Sequence, residues 1–217
     1  VTWRSTGELL VPADSLPTWV QPVAQFASST HVSQLTRFVP TTGAGRHAAV
    51  LILLGEGPEV VLVQRAGGDA LHSGQPAFPG GVVELSDTDS VDAALRETYE
   101  EIGVAQDEVT PFALLPDLLI PVSDFVVSPV LALWRAPHEV SATDLNEISS
   151  VHRIPIRDLA AAGNRCSVRH PSGFVSPGFE VSSMLVWGFT AGILNGLLRE
   201  AGWEEPWDSE RVITLSG

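Results

Sequence analysis

The spacing of apolar positions changes several times along this chain, and the changes mark its elements. His47–Leu54 and Val60–Gln64 are apolar, β-branched runs separated by GEGPE, which predicts two strands joined as a hairpin. Beyond Asp89 the spacing becomes helical. With Glu97 as the zero of a wheel at about 100° per residue, Val91, Ala94, Leu95, Thr98 and Ile102 fall between about 60° and 160°, a stripe wide enough to bury against a sheet. Val109–Leu115 and Phe125–Trp134 are strand-like again, joined by PDLLIPVSD, whose two prolines predict a loop with apolar anchors. A short strand, Ile148–Arg153, and a short helix from Ile156 follow. Strand-like pieces broken by HPSG and SPG then run from Arg165 to Glu180. Strands around one amphipathic helix predict an α+β fold, a mixed sheet carrying that helix on one face.

Val181–Leu198 is an uncharged run of eighteen residues, with Gly188, Gly192 and Gly196 at four-residue spacing. That length borders on a membrane span. Ser182, Ser183, Thr190 and Asn195 interrupt it and no basic flank marks an inside face, so a buried helix packing on the sheet or on a partner is expected. Residues 1–46 carry scattered prolines and a short amphipathic stretch around Pro17–Ser28. Trp3, Trp19, Val20, Val23 and Phe26 are too apolar for a free tail, which predicts an N-terminal extension packed on a main domain of residues 47–217. That extension and the glycine spacing also suit a homodimer. Residues 200–217 read as a polar, peripheral tail.

Composition narrows the partners. The chain has 217 residues, 44% hydrophobic and 18% charged, with a formal net charge of -14. That charge disfavours nucleic acid and anionic membrane. It would also repel a phosphate substrate, so metal and local arginine would have to supply the attraction. The single cysteine, Cys166, cannot form an internal disulfide, and no basic segment leading into an apolar run opens the chain. The expected compartment is the cytoplasm.

The chemistry concentrates between Phe78 and Val104. On the same wheel Glu100 lies near 300° and Glu101 near 40°, so three carboxylates share an arc of about 100° with Glu97. Glu97 and Glu101 repel at i, i+4 by roughly 0.2–0.5 kcal/mol, and Arg96 can offset part of this through Glu100. A solvated acidic face is the simplest account of such a helix. Directly upstream, however, Gly80 and Gly81 allow backbone to approach a ligand closely. Carboxylates beside bare backbone suit a hard cation such as magnesium, which is usually shared between protein carboxylates and substrate phosphates.

This stretch resembles the Nudix hydrolase family, whose box reads Gly, five residues, an acid, seven residues, then Arg-Glu-apolar-x-Glu-Glu-x-Gly-apolar. Gly81, Asp87, Arg96, Glu97, Glu100, Glu101, Gly103 and Val104 follow that order; Asp87 replaces the usual Glu, eight residues rather than seven precede Arg96, and Thr98 takes an apolar slot. Leu62, Arg65, Ala66, Gly74, Phe78, Pro79, Gly80 and Gly81 match a second motif, that of the coenzyme A pyrophosphatase-like subgroup, with His72 and Gln75 also similar. Val61 and Val63 depart from it, and Ala70 stands where the motif has a second Arg.

The resemblance implies a Nudix-type mixed β-sheet sandwiched between helices and hydrolysis of a diphosphate linked to a nucleoside. It implies Mg2+ or Mn2+ held by Glu97, Glu100 and Glu101, with Arg96 orienting the carboxylates. The general base is Glu97 or Glu147. Arg65, Phe78, Gly80 and Gly81 are the expected substrate-binding residues, and Arg65 either reaches the substrate or pairs with an acid. Coenzyme A or an acyl derivative is the first expected substrate; ADP-ribose, a dinucleotide or a nucleotide sugar is the alternative. A non-catalytic nucleotide-binding regulator is the alternative of another class.

Overall fold

The computed structural model describes residues 3–36, 38, 40, 45–67, 74–121 and 123–215. In chain order the elements are β1 (Glu8–Leu9), α1 (Gln21–Ser29), α2 (Val32–Leu35), β2 (Arg46–Gly55), β3 (Glu59–Arg65), β4 (Pro76–Ala77), β5 (Gly80–Val82), α3 (Ser90–Ile102), β6 (Val109–Leu114), β7 (Leu118–Ile120) and β8 (Phe125–Trp134). β9 (Ile148–Pro155), α4 (Ile156–Ala160), β10 (Arg165–Arg169), β11 (Val175–Val181), β12 (Met184–Val186), α5 (Gly188–Glu200) and β13 (Val212–Thr214) follow.

β1 to β9 form one mixed sheet, in the order β1-β6-β8-β2-β3-β4, with β5 added to β2, β7 to β8 and β9 to β3. Its spine is the parallel pair β2 and β8, in register from Arg46↔Phe125 to Gly55↔Trp134. The predicted hairpin of β2 and β3 is antiparallel, but only Leu54↔Val60 and Gly55↔Glu59 pair. The two strands then separate, and β4 and β5 fill the gap. That opening sets the residues around Gly80 directly beneath α3.

Alternation along the strands separates two cores. Leu51, Leu53, Val61 and Val63 face α3, where Ala93, Ala94 and Ile102 meet them with Val91 and Leu95 at the margin. Ile52, Leu54 and Leu62 face the other way, into a cluster with Val23 and Phe26 of α1, Ile193 and Leu194 of α5, and Phe179 of β11, which lies in a second sheet of order β12-β11-β10-β13. The main sheet therefore lies between helices, as the mixed α+β reading expects. The start of the chain enters this core directly: Val20 and Val23 are buried, and β1 extends the sheet by pairing with β6.

The uncharged run from Val181 to Leu198 is not one helix. β11 turns into β12 at Ser182 and Ser183, whose φ values of 50° and 62° are those of a tight two-residue hairpin turn; α5 begins only at Gly188. Among the described residues no helix is long and apolar enough to cross a membrane. Among the described residues of this chain the glycine spacing seats no other backbone: a Cβ at Gly188 or Gly192 would meet nothing within 4 Å, and one at Gly196 would touch only the side chains of Leu35 and Phe26. The tail is polar and none of its described residues is buried, but it is tied to the body. Trp203 lies 6.2 Å from Trp19, Trp207 covers Arg165 at 4.5 Å, and β13 adds to β10 in parallel. Cys166 is buried in β10, and burial raises its thiol pKa.

Candidate active site

α3 is set by its ends and its buried face. Asp89 caps it, accepting from the Val91 and Asp92 amides at 2.8 and 3.0 Å, and Gly103 closes it in the left-handed conformation at φ 73°. Thr98 sits in the buried stripe without an unpaired hydroxyl, because Oγ1 donates to the Ala94 carbonyl at 2.7 Å. With the stripe turned to the sheet, the glutamate arc lies at its border over β5.

Gly80 is required by the backbone around it, and Gly81 by where the Glu97 carboxylate rests. A Cβ on Gly80, where φ is 147°, would lie 2.2 Å from the Ala49 carbonyl oxygen and 2.6 Å from Val50 Cα. One on Gly81 would lie 2.5 Å from the carboxylate atoms of Glu97. The Gly80 amide donates to Glu101 Oε2 at 3.0 Å, and the Gly80 carbonyl accepts from Arg65 Nη2 at 3.0 Å. Arg65 also approaches Glu101 Oε1 at 3.9 Å while its side chain stays 42% exposed. It thus pairs with an acid and still presents donors to solvent.

Arg96 is the hub. Its Nε and Nη2 grip Asp87 at 2.8 and 3.0 Å, Nη1 reaches Glu97 at 3.1 Å and Glu100 at 3.0 Å, and Nη2 also donates to the Val82 carbonyl at 3.0 Å. This two-pronged contact holds the Asp87 carboxyl below the usual carboxylate range. Asp87 stood out in the sequence only as a replaced motif acid. Its 2% exposed side chain anchors the arginine that orients the glutamates.

The three glutamates differ in environment. Glu101 is 6% exposed, and burial first, then the nearby charges of Glu97 and Glu147, raise its pKa to about 7 against the pull of the Gly80 amide and Arg65. Glu97 is raised by burial, with Arg96 opposing. Glu100 is largely exposed. Glu147 is exposed at the entry to β9, near enough for its charge to act on Glu101. Its loop is docked on the last turn of α3, because Thr143 donates through its amide to the Glu101 carbonyl and through its hydroxyl to the Glu100 carbonyl. No local sequence pattern announces a tie across 43 residues.

Phe78 corrects an expectation. It is 1% exposed and packed among the apolar residues on the side of the sheet away from α3, so its ring has no face to offer a substrate. Ala70 and His72 of the second motif lie outside the described residues.

The NUDIX domain family profile matches residues 44–171. The chain belongs to the Nudix family. Over 166 residues it is 34% identical to the uncharacterized Nudix hydrolase NudL of Enterobacter sp. (strain 638), covering 72% of this chain and 83% of that one. Over 180 residues it is 32% identical to a protein of that name from Klebsiella pneumoniae, covering 78% and 91%. Among solved structures, a Nudix hydrolase from M. smegmatis, RenU, is similar over 73% of this chain and 86% of its own, at 20% identity and a TM-score of 0.48. As a Nudix hydrolase the chain acts on pyrophosphate bonds, in a family that binds small nucleotide substrates and typically uses divalent metal ions.

The residues of α3 and β5 fit such an ion. All donors are oxygens, the Gly81 backbone lies bare against Glu97, and two crowded carboxylates have raised pKa values that a nearby cation would reverse. Among the described residues no three acids, histidines or cysteines are grouped so as to hold a metal ion as they stand. Arg96 draws Glu97 and Glu100 to one side while Glu101 turns to Gly80. A magnesium ion shared with water and phosphate needs no complete protein cage.

Proposed function

We propose that this Nudix protein hydrolyses a diphosphate linking a nucleoside to a second moiety, with coenzyme A or an acyl derivative as first substrate, giving 3′,5′-ADP and a phosphopantetheine. The observation that carries the chemistry is the Arg96-ordered carboxylate face pressed on Gly80 and Gly81, with the part-exposed Arg65 guanidinium at its rim. The second motif, from Leu62 to Gly81, supports the substrate. In this proposal residues 1–46 are an extension packed on the domain that begins at residue 47.

Glu97, Glu100 and Glu101 would hold Mg2+ or Mn2+, which when bound neutralises phosphate oxygens and lowers the pKa of a coordinated water. Arg96 keeps the carboxylates aimed through its grip on Asp87. Arg65 offers its remaining N–H donors to a phosphate oxygen, while Gly80 and Gly81 let β2 and Glu97 pack on bare backbone and so set the carboxylates beside it. We assign the proton of the attacking water to Glu147, whose carboxylate is exposed, whereas Glu97 is engaged by Arg96.

The test compares hydrolysis of coenzyme A, ADP-ribose and NADH at equal concentration with magnesium. Coenzyme A is expected to be cleaved fastest. Cleavage of another of these but not of coenzyme A overturns the substrate, and binding without any hydrolysis overturns the enzyme reading in favour of a regulator. Glu147→Gln is expected to lower kcat with little change in KM; unchanged kcat would return the base to Glu97.

A further inference from the structure

On the opposite face of the β3–β4 hairpin from the carboxylates lies a cleft of about 390 Å3, lined by Gln64, Gln75, Pro76, Met184, Leu185 and Trp187 among others. Neighbouring strand residues point to opposite faces, so Arg65 turns toward Gly80 and Glu101 while Gln64 lines the cleft. Among the described residues that line it none is charged. A phosphate would find no cation there.

One wall is aromatic. The Trp187 indole stacks on the His170 imidazole, with centroids 5.8 Å apart and planes at 29°. His170 is itself fixed by Ser172, whose amide donates to Nδ1 at 3.1 Å. The other wall is a carboxamide held in one plane: Gln64 Nε2 donates to the Gly74 carbonyl at 3.2 Å, and Oε1 accepts from Ser150 Oγ at 3.3 Å. Each contact uses one of the amide's two donors and one of its two lone pairs. One donor and one lone pair remain.

We propose that this cleft takes the adenine base of the substrate, stacked on Trp187 and read by Gln64. A flat aromatic wall beside a carboxamide is the chemistry that binds a base by its face and pairs with the adjacent N6 donor and N7 acceptor of adenine. Pro76 of β4, at the end of the strand order, lines the cleft and Gly80 of β5 lies at the carboxylates; they are four residues, at most about 13 Å of extended chain, apart, so one short segment joins the two sites. The inference rests on the proposed diphosphate hydrolysis and adds adenine as the base, which ranks coenzyme A, ADP-ribose and adenine dinucleotides above uridine-containing nucleotide sugars.

Binding and turnover test it separately. Wild-type protein without metal is titrated with adenosine monophosphate and with uridine monophosphate, following tryptophan fluorescence, and the adenosine titration is repeated on Trp187→Phe. The adenine nucleotide is expected to bind at least about tenfold more tightly, with a fluorescence change that Trp187→Phe loses; equal affinities, or an unchanged signal in the variant, overturn the proposal. In steady state with magnesium, Gln64→Leu is expected to raise KM for ADP-ribose about tenfold, lower kcat less, and shift KM for a uridine diphosphate sugar less than about twofold. Wild-type hydrolysis with an unaltered adenine-to-uracil ratio in Gln64→Leu overturns the cleft and leaves the diphosphate chemistry standing. Tight adenosine monophosphate binding that depends on Trp187, with no diphosphate cleaved, does the reverse.

Discussion

Replacing Glu101 with Gln should make the metal-free protein more stable while removing its activity. Burial raises this carboxyl from 4.5 to about 7. Its folded pKa lies above its unfolded one, so between those values the native state holds a proton that the unfolded chain has released, and stability falls as pH rises through that window. At roughly 1.4 kcal/mol per pH unit, the ionised form costs the fold about 3 kcal/mol at pH 8. Gln keeps an acceptor for the Gly80 amide but gives up the Arg65 approach, so the net gain should be about 2–3 kcal/mol, or about 4–10 °C in Tm. Urea and thermal unfolding in a chelator at pH 8 would measure it. At pH 5 the difference should shrink below about 1 kcal/mol, and magnesium at pH 8 should stabilise wild type but not Glu101→Gln. Turnover should fall at least about a hundredfold. A variant less stable than wild type at pH 8, or a difference independent of pH, would refute the reasoning.

Three further outcomes follow from the same geometry. Asp87→Asn loosens Arg96 and leaves part of its charge unpaired, so we expect a loss of about 2–3 kcal/mol in urea unfolding and a kcat lowered about 10–100-fold with KM little changed; equal loss through KM would contradict a positioning role. Gly81→Ala should displace the Glu97 carboxylate and lower kcat at small cost in stability, whereas Gly80→Ala strikes the β2 backbone and should cost several kcal/mol; unfolding curves with paired kinetics separate the two. Phe78→Ala should cost about 3–5 kcal/mol in stability while KM stays within about twofold, and Phe78→Leu gives a milder version if the first fails to fold.

The sequence by itself determined the elements whose signals are local. The stripe from Val91 to Ile102 specified α3 and the face it buries, the apolar run Phe125–Trp134 specified β8, and the glutamate spacing specified an anionic border on that helix. Those depend on period and residue type within a few turns of chain. The tertiary structure decided the rest. Ser182 and Ser183 lack the Asn-Gly signature of a tight hairpin, so an uncharged run read as one helix divides into β12 and α5. Phe78 belongs to a motif but is spent on packing, since which face of a sheet a ring meets depends on strands far away in sequence. The grip of Arg96 on Asp87, the tie of Thr143 to α3 and the approach of Arg65 to Glu101 span 9, 43 and 36 residues. Such contacts arise only when the sheet opens between β2 and β3 and sets the glycines under the helix. The carboxylates were legible one by one; their unequal burial, and with it their division of labour, belongs to the fold.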